Sequence, residues 1–212
     1  MTIRHHISDQ LLTAYSAGVL PEAFSLVVAT HLSLCDECRA RSAAHDAVGG
    51  ALLDEVAPAR MGEHSLAQVM ARLDGGAPIR RSPQGDIATP EPLADYIGGT
   101  LNIVKWQSLG MGVRQSILPT DRLASARLLY IPAGQAVPDH GHRGMELTLV
   151  LQGAFTDATD RFGRGDIEIA TEDLQHTPVA EPGEACICLA ATDAPLRFNS
   201  LIPRLVQPFF RI

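Results

Sequence analysis

The spacing of apolar positions changes character about a third of the way along the chain. Up to about residue 74 it is helical. Leu11, Leu12 and Tyr15 fall at i, i+1 and i+4 behind Ser8 and Asp9, either of which can cap a first turn, and Gly18 offers a stop. Pro21 stands at a natural entry to a second helix, whose apolar run passes from Phe24 through Val28 to Leu32. Asp36 and Glu37 open a third helix, which continues through an alanine-rich stretch to about Val56. A fourth, Glu63 to Leu73, places Leu66, Val69, Met70 and Leu73 on one stripe.

From Gly75 to Pro92 the chain reads GGAPIRRSPQGDIATPEP, a Gly, Pro, Ser and charge-rich stretch that marks a flexible linker. Beyond it the period shortens. Ala126–Ile131, Glu146–Leu151, Asp166–Ala170 and Ala185–Ala190 are short, β-prone and bounded by Gly and Pro turns. The pattern predicts a two-domain α + β chain: a small all-α unit over 1–75, a linker over 76–95, and an all-β barrel over 96–212.

Within the helical part, His31, Cys35 and Cys38 form an H-x3-C-x2-C group at the junction of helices two and three. With the thiols on the connecting turn and the imidazole one helical turn earlier, all three can converge on one point. Thiolates and imidazoles are the donors that tetrahedral zinc prefers. For the fourth ligand His6 is the first choice, because the N-terminal segment can fold across the turn; His5 and His45 are rivals. Two thiolates and two neutral imidazoles would neutralise Zn²⁺. A unit this small gains much from such a site, since a structural zinc contributes ~10–16 kcal/mol in metal-folded peptides.

In the β part, Gly134 to Gly153 reads GQAVPDHGHRGMELTLVLQG, with the spacing G-x5-H-x-H-x3-E-x6-G of the first cupin motif. Residues two apart on a strand face the same way, so His140 and His142 point together, and Glu146 returns on the next strand. His176 follows at a distance suited to a fourth ligand, although the Pro-x-Gly signature of the second cupin motif and the Asn after its histidine are missing. Three imidazoles and a carboxylate suit Zn, Mn, Fe or Ni. Cys186 and Cys188 share one strand face, as inert small hydrophobes or as a redox pair.

Composition narrows the function. A 46% hydrophobic, 19% charged chain is ordinary for a folded protein, and no apolar run approaches the ~20 residues of a membrane helix. The N-terminus has no apolar stretch of the signal-peptide kind, so the cytoplasm is the expected location. Net charge is −7, with five Arg against nine acidic residues up to residue 74. That balance repels phosphate and suits a basic protein partner.

The stretch LLTAYSAGVLPEAFSLVVATHLSLCDECR, with a histidine before it and H-x3-C-x2-C between two helices, resembles the zinc-binding anti-sigma domain, and the whole chain resembles the ChrR-type anti-sigma family, in which that domain is fused to a C-terminal cupin. The resemblance implies a non-enzymatic regulator that sequesters an extracytoplasmic-function sigma factor as a 1:1 heterodimer. It implies release under oxidative stress of the singlet-oxygen type, sensed through the cupin. It implies His6, His31, Cys35 and Cys38 as zinc ligands, and zinc as the metal at His140, His142, Glu146 and His176. Candidate partner contacts are the stripe Leu66, Val69, Met70 and Leu73, and the face carrying Leu11 and Tyr15. The competing expectation is a metal-dependent, dioxygenase-like cupin enzyme with a helical regulatory domain.

Overall fold

Ser8 caps the first helix. In a computed structural model, which describes residues 2–74, 83–195 and 197–198, its hydroxyl accepts the N–H of Leu11 at 3.4 Å and α1 spans Asp9–Ser16. Helix α2 (Glu22–Leu34) begins directly after Pro21, α3 is Asp36–Asp54, and α4 is Ser65–Asp74. All four expected helices are present. The expected linker is more structured than its composition suggests. Residues 75–82 lie outside the described residues, but Glu91–Ile97 form a fifth helix, α5, which starts behind Pro90 and stops at Gly98 in the left-handed conformation. Leu93 and Ala94 of α5 are fully buried.

The β region contains β1 (Gln107–Gly110), β2 (Val113–Leu118), β3 (Ser125–Ile131), β4 (His140–Gly141), β5 (Glu146–Gln152) and β6 (Ala154–Thr156). It continues with β7 (Arg161–Gly163), β8 (Ile167–Ala170), β9 (Gln175–His176), β10 (Val179–Ala180), β11 (Cys186–Thr192) and β12 (Arg197–Phe198). Six of these form an antiparallel sheet in the order β1-β2-β3-β11-β5-β8, and two three-stranded sheets, β10-β6-β7 and β12-β4-β9, complete the cupin fold. The four strands read from the sequence are β3, β5, β8 and β11, which make up the middle and one edge of the large sheet.

Why those four carry so strong a signal follows from burial. On β5, Leu147, Leu149 and Leu151 point to one face while Val150 points to the other, and all are fully buried. On β11, Ile187, Leu189 and Ala191 share the first face; Cys186 and Cys188 take the second, inside the barrel. A strand buried on both faces reads as a continuous apolar run.

What covers the outer face is α2. Ala23, Phe24, Leu26, Val27 and Val28 are buried along it, and they join Leu128, Leu149 and Leu189 of the sheet in one apolar core. A helix that is apolar nearly all round must be enclosed. Here α1, α3, α5 and the strands β3, β5 and β11 all pack against α2. Among the described residues the helices dock on the barrel and share one apolar core with it. A second contact fastens the start of α2. The Glu22 carboxylate accepts the Asp121 N–H at 2.7 Å and the Tyr96 hydroxyl at 3.0 Å, and the Glu22 N–H donates to Asp121.

Candidate metal centres

Cys35 is the single residue between α2 and α3. Its extended backbone breaks the helix, and its Sγ takes the role of an N-cap by accepting the Cys38 N–H at 3.4 Å. Cys38 thus lies in the first turn of α3 rather than on the connecting turn, while His31 lies in the last turn of α2. His6 arrives from the segment preceding α1, with Nδ1 3.3 Å from Cys35 Sγ and 3.6 Å from Cys38 Sγ. The ligand atoms of His6, His31, Cys35 and Cys38 all lie within 4.8 Å of one another. Ligands bound tetrahedrally at about 2.0–2.3 Å stand roughly 3.3–3.8 Å apart, which the His6–Cys35 and His6–Cys38 separations match, so the cluster is compatible with zinc.

His31 gives a second sign. It is completely buried, and among the described residues neither ring nitrogen completes a well-formed hydrogen bond, an expensive arrangement that a metal at one of them would relieve. Burial pushes the His31 pKa down to about 4, opposed in part by the Gly165 backbone, so the ring is neutral and able to donate a lone pair. Burial also pushes the Cys38 thiol up to about 11, which a bound cation would reverse. Of the rivals, His5 turns toward the Arg161 carbonyl and stacks on Phe162, and His45 contacts Thr13. Geometry selects His6.

The barrel cluster forms where β4 pairs with β9, in a register that sets His140 opposite His176. His176 Nε2 lies 3.2 Å from His140 Nε2 and 3.4 Å from His142 Nε2. These separations match two imidazoles on one tetrahedral cation. His140 is aimed by its Nδ1, 2.8 Å from the Pro138 carbonyl. Burial lowers the pKa of His140 and of His142 to about 4, and the neighbouring imidazoles add to the effect. His176 differs. Burial pulls its pKa down, but Glu168 and Asp157 outweigh burial and hold it at about 9.

Three of the four predicted barrel ligands therefore meet; Glu146 does not join them. Its Oε1 accepts the Thr148 hydroxyl at 3.1 Å, and Oε2 is 3.9 Å from His142 Nδ1, on the side of that ring away from the cluster. Two carboxylates that the motif spacing did not flag, Asp157 and Glu168, lie instead against the back of His176. Glu168 left a trace in the sequence, an acid flanked by Ile167 and Ile169 in a strand; Asp157 sits among the turn-forming residues of TDATD and left none.

Cys186 and Cys188 have their Sγ atoms 3.5 Å apart, packed among Val150, Phe155 and Phe162. The Cys186 side chain and burial raise the Cys188 thiol well above its usual range. A thiol held protonated is a poor nucleophile, which favours the packing role.

Of the candidate partner contacts, Leu11 is buried in the core and Tyr15 half-buried, so the first-helix face is largely taken up inside the molecule. The α4 stripe is open. Leu66 is 73% exposed and Leu73 69%, with Val69 and Met70 about half exposed. Exposed Val48, Leu52 and Leu53 on α3 extend the apolar surface beyond the residues that periodicity singled out.

Comparison with known proteins agrees with this architecture. The family described as the ChrR cupin-like domain matches residues 97–195. Over 216 aligned residues, covering 100% of both chains, the sequence is 70% identical to the anti-sigma-E factor ChrR of Cereibacter sphaeroides. It is also similar to a chain in the crystal structure of Rhodobacter sphaeroides SigE in complex with the anti-sigma ChrR. There the identity is 68% and the TM-score 0.82, over 91% of this chain and 100% of that one.

Proposed function

The chain belongs to the ChrR family of anti-sigma factors, and from that premise we propose that it binds an extracytoplasmic-function sigma factor and keeps it from initiating transcription. The likeness, over 91% of this chain, to a protein crystallised in complex with a sigma factor carries this reading. It favours a regulator over the cupin-enzyme alternative.

The residues assign the parts. Zinc at His6, His31, Cys35 and Cys38 ties the N-terminal strap to the junction of α2 and α3, and so holds the helical unit in the form that meets the partner. The exposed stripe of α4 is the surface offered to a groove of the sigma factor, in a 1:1 complex. A net charge of −7 attracts a basic DNA-binding protein and repels nucleic acid itself. Among the described residues no helix is long and apolar enough to cross a membrane, and a sigma-factor partner places the chain in the cytoplasm.

The barrel is the receiver of the signal. His140, His142 and His176 would hold a second divalent cation, zinc by family resemblance, with Glu146 outside the trio as the structure stands. An oxidative signal of the singlet-oxygen type acts there and loosens the inhibitory complex. It does so by shifting the balance between two states of the docked domains.

The test is reconstitution. Full-length protein containing zinc should form a 1:1 complex with the sigma factor recovered alongside it and block transcription by the holo-polymerase; chelation should abolish both. A zinc-loaded chain that leaves sigma-dependent transcription untouched would refute the reading.

A further inference from the structure

A histidine can offer Nε2 to a metal only if its proton resides on Nδ1, and what sits behind the ring decides where the proton goes. Behind His140 is a neutral backbone carbonyl. Behind His176 is a buried pair of acids: Asp157 Oδ2 at 2.7 Å and Glu168 Oε1 at 3.2 Å from Nδ1. Their side chains are 0% and 6% exposed.

Asp157 is itself held in place. Its Oδ1 accepts the Thr159 N–H at 2.8 Å, the Thr159 hydroxyl at 2.6 Å and the Asp160 N–H at 3.2 Å, all within the turn between β6 and β7. That leaves Oδ2 free to meet the imidazole. Glu168 comes from a different strand, β8, so two independent elements converge on one nitrogen. Among the described residues Glu168 Oε1 completes no well-aligned hydrogen bond, and it contributes its position beside Nδ1.

We propose that Asp157, assisted by Glu168, is a positioning residue for the barrel metal: it holds His176 in the Nδ1–H tautomer with Nε2 facing His140 and His142. The inference rests on the reading of the three histidines as a metal site. It assigns the strength with which His176 grips the metal to carboxylates outside the ligand set. It also accounts for a working ligand at a position whose sequence lacks the second cupin signature.

The substitution Asp157→Asn separates this role from a structural one. Asparagine Oδ1 can still accept the three donors of the turn, but Nδ2 now faces the ring. The proton is then driven to Nε2, the atom the metal needs. In full-length protein, zinc affinity of the barrel site, read by competition with a chromophoric chelator, should fall about 10–100-fold in D157N and by less in E168Q. The N-terminal zinc should be retained, and the unfolding midpoint of metal-free D157N should match that of the metal-free parent. The Nδ1–H proton resonance of His176, shifted downfield by its carboxylate in the zinc-loaded parent, should vanish in D157N.

Three outcomes overturn the proposal, each separately. If the parent binds two zinc ions and His140→Ala one, yet D157N binds two with affinity within twofold of the parent, Asp157 does not position His176. If the parent and His140→Ala both bind a single zinc, the barrel metal itself is wrong and the proposal goes with it. A D157N protein whose metal-free form is destabilised as much as its loaded form would assign Asp157 to the turn alone.

Discussion

The Asp166 carboxylate accepts the backbone N–H of His5 at 3.0 Å, and that of Arg4 at 2.6 Å, joining the first residues of the chain to the turn before β8. The Ile167 N–H returns a bond to the His5 carbonyl, and Ile3 packs so closely over Gly165 that a Cβ there would come within 2.8 Å of it. One residue beyond His5 is the zinc-site His6; two beyond Asp166 is Glu168, against the barrel's His176. This clasp joins the segment that carries His6 to the strand that carries Glu168.

Cutting the clasp should separate sensing from inhibition. Losing a charge-assisted hydrogen bond costs about 1.5–3 kcal/mol, so Asp166→Ala should lower amide-exchange protection at His5 and Ile167 by at least about tenfold. Sigma-factor capture should survive, because no zinc ligand changes, while release under oxidative challenge should be blunted. Normal release from D166A would show that the signal takes another route.

Removing ligands should distinguish the two centres. His31→Ala or Cys38→Ala should free the sigma factor, since each leaves three donors at the N-terminal zinc. His140→Ala should keep inhibition and lose the response. Transcription assays with each variant, with and without oxidant, provide the readout. Inhibition lost in H140A as fully as in C38A would place both functions in the barrel.

Because the α4 stripe is already in water, altering it should cost the fold little. Leu66→Asp together with Met70→Asp should leave the melting midpoint within a degree or two. It should weaken the sigma-factor complex by about a hundredfold or more, as expected for two central apolar anchors. Binding by titration calorimetry decides the matter, and unaltered affinity would move the interface elsewhere.

His31 makes acid sensitivity predictable at the N-terminal site. Its pKa is about 4 when folded, below the 6.5 of a free imidazole. The unfolded chain therefore takes up the proton first. The stabilisation from burying a neutral ring is complete above about 6.5 and drains away as pH falls toward 4. In metal-free protein the His31 ring resonances should titrate with a midpoint near 4, with amide protection around Gly165 falling in step. A midpoint near 6.5 would mean the ring is not enclosed. Bound zinc should move that midpoint to still lower pH, because metal and proton compete for the same nitrogen.

The shared core predicts that a barrel mutation is felt by the helices. Leu189 is fully buried on the face that α2 covers, and truncating it to Ala should cost about 2–5 kcal/mol. Far-UV circular dichroism should show helix and sheet signals lost in one transition. Two well-separated transitions would indicate independent units.

Local pattern alone was enough for the four N-terminal helices, the central strands and both metal motifs. Period and spacing are written in neighbouring residues: H-x3-C-x2-C needs only one helix junction, and His140 with His142 needs only one strand. His6 was the first choice among three histidines, and only the folded chain could separate it from His5 and His45, because the choice depends on where the strap crosses α2 and α3. The same is true of α5. Its Pro and Gly punctuation resembles a linker until Leu93 finds the apolar face of α2. Asp157 and Glu168 reach His176 from 19 and 8 residues away, across sheet and turn, and no period in the sequence records such a meeting. Local chemistry thus determined which residues form the two metal motifs and which segments are helical; long-range packing decided which side chains stand behind the ligands and that the two domains share one core. The reason is physical: spacing constrains only groups joined by a few bonds, whereas burial and the positioning of a ligand depend on surfaces brought together from across the chain.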